Sequence, residues 1–381
     1  MVKTIGPKPT LNKEEEMTAN ENSAIYAIEN ALSMEEEKVE SSDEVIMEDF
    51  FKTTASDYDM FDERCWNKGD GYKIPSYPIM DEKLEGAESG LYLFAGESNS
   101  GKSALMMNII KDMCSYRENK LFGVYYALDD SKHEIIPRII AMEQMIPISA
   151  ASKPKRYENM INSCENDNAA LYDSYLKKRQ AGLDKLKSEA DLFKVEDTSK
   201  IKDSTELKNH MIKLQTFVKS IDPKMNIIVA IDALNDIKLD SKEFWKIDGS
   251  TKKVEEISKF VKDLAVDLDI IIFSSTHLRK LNGNRRPTVD DLKEANTLLY
   301  EASVVWLVYN DVSKNKGGAS IFWNDSNADN SMGAVIEIDW AKNKKSSYKG
   351  RTFAKFMPYY SLCKEGTKEE GDRWEALIYQ N

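Results

Sequence analysis

The segment that most constrains the fold of this chain is Gly96-Glu97-Ser98-Asn99-Ser100-Gly101-Lys102-Ser103. It matches the pattern GxxxxGK[ST] without a mismatch, between the apolar run LYLFA and the helical stretch SALMMNIIKDM. The glycines of this pattern let backbone N–H groups face a phosphate, and the following helix N-terminus adds positive potential. Lys102 then reaches the β- and γ-phosphates, and the Ser103 hydroxyl binds Mg²⁺. The sequence therefore predicts a nucleoside-triphosphate-binding loop between a strand and a helix.

Strands and helices alternate from residue 91 onward. Apolar runs suited to buried strands lie at Leu91–Ala95, Leu121–Ala127, Asn226–Ile231, Ile270–Ser274 and Val304–Tyr309. Helical stretches lie at Ser103–Tyr116, His133–Met145, Ser204–Ser220 and Thr251–Leu268. This alternation predicts an α/β fold, a mostly parallel sheet with helices on both faces. Short alternating segments at Ser320–Trp323, Ala334–Trp340 and Thr352–Phe356 predict a C-terminal antiparallel extension.

Two acidic positions follow predicted strands and complement the phosphate loop. Asp232 ends the strand NIIVAID, where a carboxylate is suited to a water-mediated contact with Mg²⁺. Asp129 and Asp130 follow the strand GVYYAL, where one carboxylate can polarise an attacking water. Asp130 is also a candidate N-cap for the helix that starts near Lys132. We therefore favour Asp129 as the catalytic carboxylate, although the sequence alone leaves both open.

The net charge of −12 is unevenly distributed. Residues 1–50 hold four lysines and 13 acids, a net charge of −9, which leaves −3 for the other 331 residues. The nearly neutral remainder leaves a nucleic acid open as a partner. No run of about 18 apolar residues predicts a membrane helix, and the N-terminus has no secretory signal. Four scattered cysteines form no CxxC pair, so we expect reduced thiols in a cytoplasmic protein without a zinc site.

Composition divides the chain into four parts. Residues 1–50 are an acidic arm, either a solvated flexible tail or a docking segment for a partner. Residues 51–80 are a linker with a role in oligomerisation. Residues 81–364 are the ATPase core, with a charged helical insertion at 151–191, and residues 365–381 are a C-terminal tail.

Together these residues resemble the RecA-like ATPase domain of DnaB-family ring helicases, which include phage replicative helicases. The resemblance runs from about Ile74 to Phe356. Besides the phosphate loop, it is carried by ALDDSKHEIIPRIIA, VAIDALNDI and FSSTHL, and by RRPTVDDLKE followed by SVVWLVYND. It implies a RecA-like P-loop NTPase that hydrolyses ATP with Mg²⁺.

The resemblance also assigns roles beyond the phosphate loop. Asp129 stands at the catalytic glutamate, Arg138 matches a nucleotide-site arginine on the following helix, and His277 stands at the nucleotide sensor. Lys342 and Lys344 match a KxR pair that a neighbouring subunit donates to the γ-phosphate, with Lys344 at the arginine finger. Lysine lacks the planar fork of guanidinium, and aspartate is shorter than glutamate. Hydrolysis is therefore fast, slow or partner-dependent, and the sequence leaves these alternatives open.

Ring helicases grip single-stranded DNA with basic loops that line a central channel. The candidates here are Arg279, Lys280, Arg285 and Arg286, in a stretch from 277 to 289 that contains no acid. The resemblance implies a homo-oligomer, a hexameric ring in the cytoplasm, that of the bacterial host if the chain is phage-encoded. Bacterial members of the family dock primase through a helical N-terminal domain. About 70 residues precede the core here, so we expect a primase or helicase loader to be engaged differently, or not by this chain.

Three functions remain in competition. The first is an ATP-dependent replicative helicase or translocase that acts as a ring on single-stranded DNA. The second is a RecA-like recombinase or recombination mediator, against which the RRPTVDDLKE block and the later KNK sequence speak. The third is a ring ATPase that serves as a scaffold or partner-regulated switch without processive unwinding.

Overall fold

The computed structural model describes residues 47, 51–63, 65–66, 71–163, 168–240, 250–281, 283, 285–292, 295–324 and 332–380. The chain divides into two units, Met1–Gly69 and Asp70–Asn381. In the first unit, helix α1 is described at residues 51–63, and its Phe51, Tyr58 and Phe61 side chains are exposed. The predicted acidic arm lies outside the described residues, except at residue 47. None of the described helices is long and apolar enough to cross a membrane.

The described part of the second unit contains one ten-stranded sheet with the order β10-β9-β8-β6-β1-β5-β4-β2-β3, while β7 pairs with β8. Six strands are parallel: β1 (Gly90–Gly96), β2 (Leu121–Ala127), β3 (Phe193–Asp197), β4 (Asn226–Asp232), β5 (Ile271–His277) and β6 (Val304–Asn310). Four strands are antiparallel to their neighbours: β7 (Phe322–Asn324), β8 (Met332–Asn343), β9 (Arg351–Met357) and β10 (Leu362–Glu365). The predicted fold class is confirmed.

The helices of this unit precede, connect and follow the strands. They are α2 (Pro78–Leu84), α3 (Lys102–Ser115), α4 (Lys132–Gln144), α5 (Ile148–Ser152), α6 (Pro154–Asn162), α7 (Ala169–Ser188), α8 (Ser204–Ile221), α9 (Ser250–Asp267), α10 (Ala295–Glu301), α11 (Asp311–Asn315) and α12 (Lys368–Gln380). All seven residues of β1 and of β6 are buried, as expected for central strands that helices cover on both faces.

Alternate residues of each central strand point to opposite faces of the sheet and build two cores. Tyr92 and Phe94 of β1 pack in the core that includes α3 and α4. Leu91 and Leu93, on the other face, pack in the core that includes α8 and α9. The sheet is therefore clamped between two helical layers, which hold the ends of its strands in fixed positions.

All five predicted buried strands are present, within three residues of their expected ends. Strand β3 was not predicted, because FKVED is polar and lies at the sheet edge, paired with β2 alone among the described strands. Strand β10 was also missed. The residues predicted to be a C-terminal tail include helix α12, whose Trp374 is buried against Ile321, Val335 and Phe353.

The predicted charged insertion at 151–191 is helical, as expected, and consists mainly of α6 and α7. These helices build a small core of their own with α4 and α5. Three tyrosines lie in it with their rings 5.4 to 6.4 Å apart: Tyr157, Tyr172 and Tyr175. The insertion is thus an ordered layer beside α4 where the structure describes it, and residues 164–167 lie outside the described part.

Candidate nucleotide site and basic loop

The phosphate loop connects the carboxyl end of β1 to the N-terminus of α3, as the sequence predicts. Gly101 has a φ of 95°, a left-handed conformation that favours glycine. Gly96 is needed for a different reason, since a Cβ there would lie 2.6 Å from the Val308 carbonyl oxygen of the neighbouring strand. These two positions allow the loop to curl tightly over the start of a 14-residue helix.

Lys102 is buried under the phosphate loop and folds back onto it. Its Nζ donates hydrogen bonds to the Gly96 carbonyl oxygen at 2.9 Å and the Glu97 carbonyl oxygen at 2.8 Å. Burial lowers the pKa of Lys102 to about 8, against the opposing charges of Asp232 and Glu97. An anion at this position would restore the ordinary preference of the ammonium for its charged form.

Asp232 ends β4 with its carboxylate 8 % exposed. Tyr125 donates its hydroxyl hydrogen bond to Oδ2 at 2.6 Å, and Ser275 donates to Oδ1. Two neighbouring strands thus orient this carboxylate from both sides. We did not predict either hydroxyl, although Ser274, Ser275 and Thr276 in one fully buried strand were a usable signal.

The pair Asp129 and Asp130 separates into two environments. Asp130 accepts a hydrogen bond from Arg138 Nη1 at 2.7 Å and forms an ion pair with it. The N-cap of α4 is Ser131, with a capping box to Glu134, so the N-cap alternative for Asp130 was wrong. Asp129 is exposed at the carboxyl end of the sheet. The geometry therefore engages Asp130 with Arg138 and presents Asp129 to solvent.

His277 ends β5 directly opposite Gly96 of β1 in the parallel register. Burial, followed by the charge of Lys102, lowers the pKa of His277 below its ordinary value. Asp236 lies in the same cluster, since burial and then the charge of Asp129 raise its pKa. The sequence did not single out Asp236. The carboxyl ends of β1, β2, β4 and β5 thus bring Lys102, Asp129, Asp232 and His277 to one edge of the sheet.

Two cavities flank the phosphate loop. The Phe356 cavity, of about 500 Å³, is lined by Lys102, Ser103 and Arg138 on one side and by Phe356 and Pro358 on another. The Lys280 cavity, of about 600 Å³, lies between the phosphate loop and the segment after β5. Phosphate-binding groups with an apolar wall are the combination that a nucleotide requires. The Phe356 cavity has that combination.

The predicted DNA-binding arginines and lysine fall into two groups. Arg279 and Lys280 are exposed directly after β5. Arg285 donates to Asp291, with Nη1 2.6 Å from Oδ2. Arg286 forms a bidentate pair with Glu337 of β8, at 2.6 and 2.9 Å, where Glu337 is 2 % exposed.

Because breaking a buried pair of this kind costs roughly 3–5 kcal/mol, Arg286 holds the segment to the sheet. Arg285 likewise serves to fold the segment back on itself. Arg279 and Lys280 are the two predicted residues whose charges face outward. Asn282 and Asn284 of the same segment lie outside the described residues.

Lys342 and Lys344 lie at the opposite edge of the sheet from the phosphate loop. Asn343 pairs with Val304, the first residue of β6, whereas Gly96 pairs with Val308 near its other end. Lys342 Nζ donates to the carbonyl oxygens of Leu299 and Tyr300 at the end of α10. Burial and the charge of Lys344 lower the pKa of Lys342 to about 8.

Lys344 is exposed. A strand of six or seven residues is about 20 Å long, so neither lysine reaches the phosphate loop of its own chain.

Comparisons with known proteins agree with this geometry. A profile of the family described as "DnaB-like helicase C terminal domain" matches residues 75–350. The replicative DNA helicase DnaB of Rickettsia bellii (strain RML369-C) is 24 % identical over 245 residues, 61 % of this chain and 43 % of that protein. A probable replicative DNA helicase of Trieres chinensis is 22 % identical over 273 residues, 70 % of this chain and 51 % of that protein. The chain thus spans about half the length of these relatives or less.

Two solved structures share the fold. The solved ATPase domain of a phage helicase has a TM-score of 0.62 and 18 % identity, covering 82 % of this chain and 98 % of that chain. A DnaB-like replicative helicase, solved in a study of its interactions with primase, has a TM-score of 0.61 and 18 % identity, covering 80 % of this chain and 66 % of that chain. With the profile match over most of the sheet and the nucleotide site, the chain belongs to the family of DnaB-like helicase C-terminal domains.

Proposed function

We propose that this chain is an ATP-dependent replicative helicase that acts as a ring on single-stranded DNA. The observation that carries the proposal is the division of its catalytic residues between two edges of one sheet. Lys102, Asp129 and Asp232 lie at the carboxyl edge, and Lys344 lies at the other. A neighbouring subunit that presents its Lys344 edge to this phosphate loop completes the site.

In this proposal, the triphosphate of ATP lies along the phosphate loop, with its base in the Phe356 cavity. Lys102 exchanges its two carbonyl partners for the β- and γ-phosphates. The Ser103 hydroxyl and Asp232, the latter through water, are the residues that would hold Mg²⁺. They fit that role because Asp232 is a buried carboxylate oriented by two hydroxyl donors. Bound Mg²⁺ neutralises charge on the phosphate oxygens.

Asp129 is the residue that we propose to orient the attacking water. Its carboxylate is exposed at the site, whereas Asp130 is paired with Arg138 and Asp232 accepts two hydroxyl hydrogen bonds. His277 lies between the two loops as an uncharged sensor, because its pKa is lowered. Arg138 lines the Phe356 cavity and lies within reach of the nucleotide.

For the assembly, we propose a hexameric ring. The exposed face of α1, with Phe51, Tyr58 and Phe61, is the linker surface that packs on a neighbouring subunit. Removing residues 1–65 should then yield monomers by light scattering, and an intact hexamer would count against this role. A primase or a helicase loader as a further partner, and a cytoplasmic location, remain predictions that follow from the proposed function.

For DNA, we propose that Arg279 and Lys280 contact the phosphate backbone in the ring channel. Arg285 and Arg286 shape the same segment through Asp291 and Glu337. An exposed Arg-Lys pair provides sequence-independent, salt-dependent attraction for a phosphate backbone. A double change of Arg279 and Lys280 to Gln should therefore weaken binding to all sequences and reduce its salt dependence.

The test of the proposed function is ATP hydrolysis with and without single-stranded DNA, for wild type and Lys102→Ala, beside unwinding of forked DNA. Strong stimulation and unwinding by wild type alone are expected. The scaffold or switch remains the second candidate, because Asp129 and Lys344 depart from glutamate and arginine. Normal assembly with no unwinding by wild type would support it. Helical filaments instead of closed rings in electron microscopy would favour the recombinase.

A further inference from the structure

Glu97 connects the phosphate loop to the exposed basic residues after β5. Its Oε1 accepts a hydrogen bond from the Leu281 backbone N–H at 3.2 Å, and its Oε2 pairs with Lys314 Nζ at 2.7 Å. The Glu97 side chain is 23 % exposed, in the wall of the Lys280 cavity. One side chain of the phosphate loop therefore holds both the basic segment and helix α11.

A second contact secures the other end of the same short segment. The Leu278 backbone N–H donates to the Gly96 carbonyl oxygen at 3.4 Å. Arg279 and Lys280 thus lie on an arc whose two ends are bonded to consecutive residues of the phosphate loop, Gly96 and Glu97. We call residues 278–281 the tethered arc.

The lysine of the phosphate loop contacts the same two residues. Lys102 Nζ donates to the carbonyl oxygens of Gly96 and Glu97. When phosphates take the ammonium, both carbonyls lose that partner, while the Gly96 carbonyl retains its contact to Leu278. A change at Lys102 is therefore felt at both ends of the tethered arc without passing through the sheet.

Lys314 provides the fixed point. It lies on α11, where Asp311 accepts backbone hydrogen bonds from Ser320 at 2.6 Å and Ile321 at 2.9 Å. Asp311 is 3 % exposed, so this anchor is buried and well satisfied. With one carboxylate oxygen held by α11, a shift of the Glu97 backbone turns its other oxygen relative to Leu281.

We propose that Glu97 is a positioning residue that couples the occupancy of the nucleotide site to the placement of Arg279 and Lys280. The coupling itself concerns the two loops, and only the choice of single-stranded DNA as ligand rests on the proposed function. Glu97 then sets how strongly nucleotide alters DNA affinity, and it touches neither the reacting atoms nor the DNA.

The test compares wild type with Glu97→Ala, which removes both side-chain contacts, and Glu97→Gln, which keeps an oxygen for Leu281. Lys314→Ala removes the anchor alone. Glu370→Gln is the matched control, because Glu370 pairs with Lys355 at 3.0 Å and similar exposure on β9 and α12. Affinity for a fluorescent oligothymidylate is measured without nucleotide and with saturating Mg²⁺-ATPγS. Hydrogen exchange of the amides in residues 278–288 is measured in the same two states without DNA.

Coupling between two sites commonly amounts to about 5- to 150-fold in affinity. We expect nucleotide to change the affinity of wild type and Glu370→Gln for oligothymidylate by about tenfold. In Glu97→Ala the change should fall within about twofold, with an intermediate ratio in Glu97→Gln and Lys314→Ala. The nucleotide-dependent change in exchange should disappear in Glu97→Ala.

Wild-type coupling that survives unchanged in Glu97→Ala, in affinity and in exchange, overturns the inference and leaves the proposed function intact. The reverse outcome is also distinct. A wild type that does not bind oligothymidylate, yet shows a nucleotide-dependent exchange change that Glu97→Ala abolishes, supports the coupling and removes the proposed function.

Discussion

The two edges of the sheet differ in how much of a catalytic site each one holds. At the carboxyl edge, four parallel strands end within one cluster, and Lys102, Asp129, Asp232 and His277 lie together. At the opposite edge, Lys344 is exposed and Lys342 is engaged by the last carbonyl groups of α10. One edge can bind a nucleotide, and the other can only donate a charge.

This difference indicates that one chain contains two halves of different sites. An exposed lysine at the amino ends of the strands has no nucleotide to act on within its own chain. A head-to-tail contact between identical subunits brings the two edges together, and such contacts close into rings when the rotation permits. The predictions below test the two edges in turn.

The largest effect is expected at Lys102, the central cation of the carboxyl edge. Lys102→Ala should lower the rate of ATP hydrolysis about 1000-fold, because a buried, preorganised positive charge is lost from the phosphates. Steady-state phosphate release measures it. Lys120→Ala, at a surface pair with Asp222, should stay within about twofold of wild type. A Lys102→Ala protein that keeps a tenth of the rate would contradict the nucleotide site.

The second prediction separates Asp129 from Asp130. Asp129→Asn should lower the single-turnover rate about 100-fold, as loss of a general base or water-orienting group commonly does. Asp130→Asn should lower it less, about tenfold, because its carboxylate pairs with Arg138. If Asp130→Asn proves the more damaging change, the assignment of the two carboxylates is reversed.

The third prediction concerns the opposite edge. Lys344→Ala should lower hydrolysis about 30-fold, less than the loss of an arginine finger, because an ammonium stabilises the γ-phosphate as a point charge. Lys344→Arg should restore or exceed the wild-type rate. Lys349→Ala, an exposed lysine in the same acid-free stretch, is the control. Equal losses for Lys344→Ala and Lys349→Ala would remove the special role of this edge.

The smallest effect is expected at His277. Its lowered pKa leaves the imidazole neutral at pH 7, and protonation begins only as the pH falls below the ordinary value of about 6.5. His277→Gln should therefore stay within about threefold of wild type at pH 8. In wild type, hydrolysis should decline as the pH falls below 6, because a second positive charge forms beside Lys102. The same acid decline in His277→Gln would assign it to another group.

The sequence predicted the carboxyl edge better than its fine structure. Buried parallel strands are recognisable as continuous apolar runs, so β1, β2, β4, β5 and β6 were found close to their ends. Strand β3 was not, because a charged edge strand lacks that pattern. Helix α12 carried a usable signal, Trp374, Leu377 and Ile378 at helical spacing, that the expectation of a tail overlooked.

Side-chain partners were harder to predict, because they depend on which strands become neighbours. The hydroxyl of Tyr125 reaches Asp232 across 107 residues of sequence, and Arg286 reaches Glu337 across 51. Arg285 and Arg286 were predicted to face DNA from their local sequence, without those carboxylates. Glu97 was predicted only as a member of the phosphate loop, whereas its side chain contacts Leu281 and Lys314.

The most direct test of the division between edges is a mixture of two inactive proteins. Lys102→Ala retains an intact Lys344 edge, and Lys344→Ala retains an intact phosphate loop. In equimolar mixed rings, about a quarter of the interfaces combine the two intact halves. We predict that the mixture hydrolyses ATP well above the average of the two proteins measured separately. A rate equal to that average, in rings shown to be mixed, would contradict a nucleotide site completed by the neighbouring subunit.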